Sequence, residues 1–533
     1  MMSYKKNTKQ TVPVSTGLAE KGFRKWIITI TMVLACMLEF LDTTIVNVAI
    51  PHIQGSMGAI LEDVAWVTTG YAIANVIVLP MSGWLGNRFG RKSYFLFSIS
   101  IFTLASMLCG GSTTLAELVM FRVLQGLAGG GLISTAQAIL LETWPPDERG
   151  TATAIFGFGA VVGPTIAPAL GGYITDNLSW PWVFYINLPL GMIAAALTYY
   201  YVKVTPRSGQ DKPVDWWGIL LLSITVGSLQ TVLEKGEDKD WFSTNYIIIL
   251  TVTAILGLVI FIWHERDTDY PVVNMHLFRY RSFSAGMITS FVFGIGLYGS
   301  VFIFPQFCEN LLGFSAQQTG LLLLPGQVFT IILMPTIGKL LKKGLPPQLF
   351  VIAGFCCFFV FPTLMSKTTL LSGLADLTFP LYFRGIGIGL LFVPLITLAI
   401  KDLKGPEIGQ GAGLYNMMRQ LGGSFGIAGL ATSIHIGQAT HRNFLLENIN
   451  SYNNAFLSRM QFYISGFINK GYSSLQARNM ALKVVDNTVN KQASLMAFAD
   501  SYRWLGVVML CCIPLIFLQG LKKKQVDIPT DLH

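Results

Sequence analysis

The sequence predicts an all-α integral membrane protein with fourteen transmembrane helices, arranged as two six-helix bundles plus two inserted helices. Three observations lead there. Of 533 residues, 52 % are hydrophobic and 12 % charged, against about a quarter charged in ordinary soluble domains. The mean hydropathy of +0.55 over such a length requires many spans, not one anchor. Finally, the apolar residues fall into fourteen runs, and landmarks in the first six recur in the last six.

Each run is about 18–28 residues, the length that crosses a bilayer as helix. The first bundle is predicted from 26–50, 62–85, 93–111, 115–143, 149–173 and 182–203, of which the Gly-rich 149–173 is the weakest on hydropathy. Runs at 214–234 and 245–263 form the inserted pair. The second bundle follows at 282–308, 317–340, 348–366, 375–400, 408–436 and 499–521. The chain therefore divides into a basic tail 1–25, a bundle 26–203, an inserted segment 204–281, a bundle 282–521 and a second tail 522–533. The polar N-terminus has no short apolar core with a small-residue cleavage site, so the first span is expected to be retained.

Lys and Arg set the orientation. With the N-terminus inside, Lys5, Lys6, Arg88, Arg91, Lys92, Lys203, Arg207, Lys339, Lys342, Lys343 and Lys522–Lys524 all lie on the inner side. The short outer loops then hold only Lys235, Lys239 and Lys367. Both termini are expected in the cytoplasm, and the net charge of +9 reads as contact with the inner leaflet, without nucleic acid. The seven cysteines show no CxxC or Cys/His ligand spacing, so neither a metal site nor a disulfide framework is expected.

The outer segment 437–498 is long and polar. Within it, Ala477, Met480, Ala481, Val484, Val485 and Val489 recur at helical spacing. That pattern fits an amphipathic helix on the outer face or against a partner, and equally a solvated loop with helical turns.

The repeats are specific in register. FRVLQGLAGGGLI of span four and FRGIGIGLLFVPL of span twelve place Arg122 and Arg384 at nearly the same depth. GWLGNRFGRK and GKLLKKGLPP follow spans two and ten. Both pairs keep their orientation, which indicates parallel repeats.

Charge inside a span is costly, and residues retained there are functional candidates by default. Asp42 lies eight residues from the outer end of span one, about 12 Å deep at 1.5 Å per residue. Arg122 lies at about 10 Å in span four by the same rise, so the two are expected partners. A permanent structural ion pair is the competing reading. Glu39 is one turn from Asp42 on nearly the same face. Paired with arginine, Asp42 keeps its charge; Glu39, without such a partner, is an equal candidate to carry a proton. In span five, Gly163, Gly171 and Gly172 permit close helix approach, and Pro164 and Pro168 remove backbone donors. Tyr71, Asn75, Gln125, Gln137, Tyr298, Gln306, Arg384, Tyr415, Asn416 and Arg419 are candidate lining of a central cavity, each with a helix–helix contact as the alternative. No HExxH or P-loop is present, so no enzyme chemistry is expected.

Together these motifs resemble the major facilitator superfamily, in particular its fourteen-span drug:proton antiporters of the EmrB/QacA type, and the EmrB branch most. LDTTIVNVAIP (41–51), GWLGNRFGRK (83–92), RVLQGLAGGG (122–131) and GPTIAPALGG (163–172) are similar to the family's motifs in spans one, the first inner loop, four and five. The resemblance implies efflux of hydrophobic drugs across the inner membrane by alternating access, driven by the proton motive force without a cofactor. It implies proton coupling at Asp42 and Arg122, and gating by Gly83, Arg88, Gly90 and Arg91. Asn87 stands where the family has an acid, which removes a charge-based latch there and leaves Asn87 to cap the next helix. Ala167 replaces a common glycine. The resemblance also implies a periplasmic membrane-fusion adaptor and an outer-membrane channel, with 437–498 as contact surface. The alternative is a same-fold exporter of one physiological substrate, such as a fatty acid, siderophore or metabolite.

Overall fold

The computed structural model describes residues 20–517 except 146–147, 205–212, 404–406, 448 and 451. The expected basic tails, with Lys5, Lys6 and Lys522–Lys524, and also Arg207, lie outside these. Each of the fourteen predicted runs coincides with a helix: α1 Gly22–Met57, α2 Trp66–Val78, α3 Arg91–Gly110, α4 Leu115–Thr143, α5 Arg149–Asn177, α6 Asn187–Tyr201, α7 Trp216–Lys235, α8 Asn245–Asp267, α9 Arg281–Gln306, α10 Ala316–Lys342, α11 Pro347–Met365, α12 Leu374–Ile400, α13 Glu407–Leu446 and α14 Ser474–Cys511. Among the described residues, twelve helices are long and apolar enough to cross a membrane. The two predicted runs outside that set are spans two and thirteen, not the Gly-rich span five. Span two is cut short at Leu79, next to Pro80, and resumes as the short helix Ser82–Phe89. Span thirteen is a single helix of 40 residues that carries polar and charged turns beyond its apolar core.

The two bundles share one neighbour scheme. In the first, α1 packs on α4, α5 and α6, and α3 on α4 and α6; α2 packs on α4. In the second, α9 packs on α12, α13 and α14, α11 on α12 and α14, and α10 on α12. The same sequence positions therefore meet in each half. Lipid tails are as apolar as leucine, so these seams depend on close packing of small residues. A Cβ on Gly163 would lie 2.8 Å from Met37 O, and one on Gly171 2.9 Å from Ile45 Cγ1, so both glycines let α5 sit on α1. Gly172 faces open space instead, which corrects its expected part in that seam. Added Cβ atoms on Gly126 and Gly130 would collide with the carbonyls of Tyr71 and Asn75, so these two bring α4 onto α2.

The inserted α7 and α8 pair with each other, and α7 rests on α2 and α13. Gln230 donates to Ser424 Oγ at 2.8 Å and Trp241 to Thr432 Oγ1 at 2.9 Å. Ile249, Val252, Ile255, Val259 and Trp263 of α8 stay exposed, as a lipid-facing helix requires.

Residues 437–498 are neither a surface-lying helix nor a loop. Their described residues continue α13 to Leu446 and begin α14 at Ser474, with the helix Asn454–Asn469 between them. Ser473 and Gln476 start α14 with a reciprocal capping box. The apolar stripe around Ala477, Ala481 and Val489 is buried. Arg442 bridges to Asp486 at 2.8 Å and to Asn490 at 2.7 Å, and His441 meets Asp500 at 2.8 Å. The helical spacing read from the sequence thus serves packing of one extended helix on another.

Candidate functional site

The capping box of Thr114 and Glu117 starts α4, and Arg122 follows two turns later. The glycines at 126 and 130 then hold that helix close against α2, and Arg122 reaches across to α1. Its Nη1 donates to Asp42 Oδ2 at 2.6 Å and to Gln125 Oε1 at 2.8 Å, and its Nε donates to Val67 O at 3.1 Å. Asp42 Oδ1 accepts from Gln125 at 3.0 Å and from Asn187 at 2.6 Å. The Arg122 guanidinium also lies 4.1 Å from the centre of the Tyr71 ring, a favourable cation–π distance. Both charges are inaccessible to solvent. Removing two ions from water costs several kcal/mol each, which is offset only when every lone pair and proton finds a partner; this cluster comes close to that.

Glu39 is held differently. Its Oε1 accepts from Asn75 at 2.9 Å and from Tyr71 at 3.4 Å, both neutral, and its Oε2 has no hydrogen-bond partner among the described residues. Two buried carboxyl groups on one helix face therefore have opposite surroundings, one saturated by an arginine and amides and the other half-satisfied by neutral donors.

The face that carries Lys25, Arg88, Lys92, Lys203 and Lys342 is the basic face. There the two bundles meet. Glu148 bonds Lys342 of the second bundle at 3.0 Å and Lys25 at 3.1 Å. These two ammonium groups hold its carboxyl below the ordinary glutamate range. Asn416 donates to Gln137 at 3.0 Å and to Ser134 at 3.5 Å. A Cβ on Gly83 would lie 2.5 Å from Gln410 Cα, so the short helix Ser82–Phe89 packs backbone to backbone on the start of α13. Arg91 pairs with Glu142, Arg88 stacks 5.8 Å from Trp84, and Gly90 takes a φ of 86° between the two helices. Asn87 is inside the first of these helices and accepts from Arg91 at 3.5 Å. The N-cap of α3 is Gly90, so Asn87 does not fill the capping role expected of it.

Beyond that seal a cavity of about 110 Å³ separates the bundles, lined by Phe40, Thr43, Thr44, Pro164, Leu297, Tyr298, Leu323, Gln327, Arg384, Ile388, Phe392 and Arg419 among others. Of the candidate lining residues, Tyr298, Arg384 and Arg419 reach it. Tyr71, Asn75 and Gln125 belong to the acid network, and Gln137 and Asn416 to the basic-face contact. Tyr415 is buried away from the lining, and Gln306 accepts from Asn310 nearer the end of α9. Pro164 lines the cavity, whereas Pro168 stays within α5. Sequence reasoning missed Asn187 and its neighbour Ser106, which accepts from it at 3.0 Å. An asparagine in the otherwise apolar run opening α6 was the available signal.

A model of the family described as Major Facilitator Superfamily matches residues 32–427, most of the chain. The chain belongs to the major facilitator superfamily. Proteins similar to it include the fatty acid resistance protein FarB of Neisseria gonorrhoeae, 32 % identical over 93 % of this chain and 96 % of that protein. The multidrug export protein EmrB of Haemophilus influenzae is 34 % identical over 87 % and 92 %. The probable multidrug resistance protein EmrY of Escherichia coli is 31 % identical over 94 % and 97 %. Among solved structures, the human organic anion transporter MFSD10 superposes with a TM-score of 0.57 at 12 % identity, covering 91 % of this chain and 99 % of that one. That likeness concerns the fold. As in the rest of the superfamily, the chain is a multi-pass membrane protein.

Proposed function

We propose that this major facilitator protein exports lipophilic compounds across the cytoplasmic membrane in exchange for protons, by alternating access between its two bundles. The observation that carries it is the contrast between Asp42 and Glu39. Asp42 is fixed by Arg122, Gln125 and Asn187, whereas Glu39 keeps an unpartnered oxygen inside a membrane helix. A proton on Glu39 removes a charge from the bundle without breaking an ion pair. Asp42 and Arg122 organise the site and set the position of Tyr71, which Glu39 shares.

The concentration of lysine and arginine on the basic face supports a cytoplasmic assignment for it. The conformation described above is then closed towards the cytoplasm, with Glu148–Lys342 and the Gly83–Gln410 approach as the seal. Names of the relatives, multidrug export and fatty acid resistance, support lipophilic cargo, and the apolar lining supports the same. The helical projection at 437–498 would then stand outside the membrane and offer Tyr452, Phe462 and Leu475, all exposed, to a periplasmic adaptor leading to an outer-membrane channel. Replacing these three by serine is expected to leave vesicle transport intact and to lower whole-cell resistance; unchanged resistance would remove the adaptor from the account.

The export reading is tested by adding candidate drugs to energised inverted vesicles and following the pH gradient. Drug-dependent proton release is expected, and its absence across a broad drug panel contradicts the reading.

A further inference from the structure

Arg384 is a charge that proton exchange leaves unused. It is buried in α12 and donates its Nε to Ser300 Oγ at 2.8 Å. Arg122 occupies the equivalent place in the first bundle, where its partner on the equivalent helix is Asp42. The spacing is alike, 80 residues between Asp42 and Arg122 and 84 between Ser300 and Arg384. A hydroxyl thus stands where the first repeat has a carboxylate. Arg122 is neutralised in place; Arg384 has Ser300 as its one hydrogen-bond partner among the described residues.

Arg419 on α13 is a second such charge. Its guanidinium lies 5.3 Å from the Phe392 ring centre, and its Nε has no hydrogen-bond partner among the described residues. Among the described residues Arg419 makes no ion pair, although Glu39 of the first bundle is near enough to feel its charge. Both arginines line the same cavity, and the lining contains no aspartate or glutamate. Buried cations without counter-ions are expensive, and a guanidinium fork matches carboxylate geometry with two parallel hydrogen bonds.

We propose that the cavity takes lipophilic anions, with the anionic head on Arg384 and Arg419 and the apolar body against Phe40, Leu323 and Phe392. This names the cargo class within the export function proposed above and rests on it. Cationic amphiphiles of the same length are rejected by the same two charges.

The test compares three head groups on one chain. Binding of radiolabelled dodecanoate, dodecyltrimethylammonium and dodecanol to the full-length protein in nanodiscs is measured by scintillation proximity, with empty nanodiscs subtracted. Dodecanoate is expected to bind at least about tenfold more tightly than the cation, the scale of a hydrogen bond to a charged group. Arg384→Gln and Arg419→Gln should each weaken dodecanoate by about tenfold and dodecanol by less than about twofold on the same scale, and Arg384→Lys should restore part of the loss. Equal or tighter binding of the cation by the unaltered protein overturns the proposal, whether or not the variants fold. So does an equal loss of dodecanoate and dodecanol in both glutamine variants. Anion preference without substrate-driven proton movement would contradict proton exchange and support the cargo assignment. Proton movement without anion preference would do the reverse.

Discussion

Asn75 donates to one carboxyl oxygen of Glu39 at 2.9 Å, and the other oxygen of Glu39 has no partner among the described residues. One turn along the same helix, Asp42 is bonded through both of its oxygens. The two acids therefore call for different outcomes on neutralisation.

Asp42→Asn leaves Arg122 buried without its counter-ion. Breaking one side of a buried pair costs about 3–5 kcal/mol. The variant is expected to melt well below the parent in nanodiscs and to lose transport. Thermal unfolding followed by intrinsic fluorescence checks this, and an Asp42→Asn protein as stable as the parent would contradict the assigned pairing.

Gly163 and Gly172 make a matched pair on α5. A side chain on Gly163 meets Met37 O and the Leu41 amide, so Gly163→Val should cost about 1–3 kcal/mol, the usual range for overpacking. Gly172 has open space around it. Gly172→Ala is expected to be neutral or to gain up to about 1 kcal/mol of helix propensity. Melting temperatures of the two variants separate these outcomes.

Glu148 ties the bundles together at the basic face, and its pH behaviour follows from its surroundings. Lys342 and Lys25 lower its pKa in the closed arrangement. Its contribution is thus fully present above the ordinary glutamate value and is lost only as pH falls through the lowered one. Between pH 5 and pH 8 the basic-face closure should be independent of this group. Glu148 and Lys342 are partly exposed, so the pair is worth no more than about 1 kcal/mol. Glu148→Gln is then expected to shift the closed-to-open ratio by about fivefold or less, read from spin-label distances across that face. A fully open protein would mean that the seal depends on this pair far more than its exposure allows.

A helix at each apolar run, the pairing of helices into two repeats and the meeting of Asp42 with Arg122 were legible because each rests on spacing, whereas the count of fourteen spans is met by twelve helices among the described residues. Apolar run length gives the spans, and equal depth gives the pair. The partition of the polar residues was not legible. Tyr71 and Tyr298 look alike in sequence, yet one bonds Glu39 and the other lines the cavity, because helix rotation is set by glycines on a neighbouring helix. Residues 437–498 misled for a related reason. Their helical period was visible, but continuity through Ser474–Cys511 depends on packing against α13, which no local pattern announces. Asn187 reaches Asp42 from 145 residues away, a distance over which a single sequence carries no signal of contact.

The most direct test of the account is substrate-driven proton movement in inverted vesicles carrying Glu39→Gln. The amide keeps the shape of the side chain and its place beside Asn75 but cannot exchange a proton. A folded protein that binds substrate and no longer releases the pH gradient when substrate is added is expected. Undiminished coupled proton movement in Glu39→Gln would contradict it.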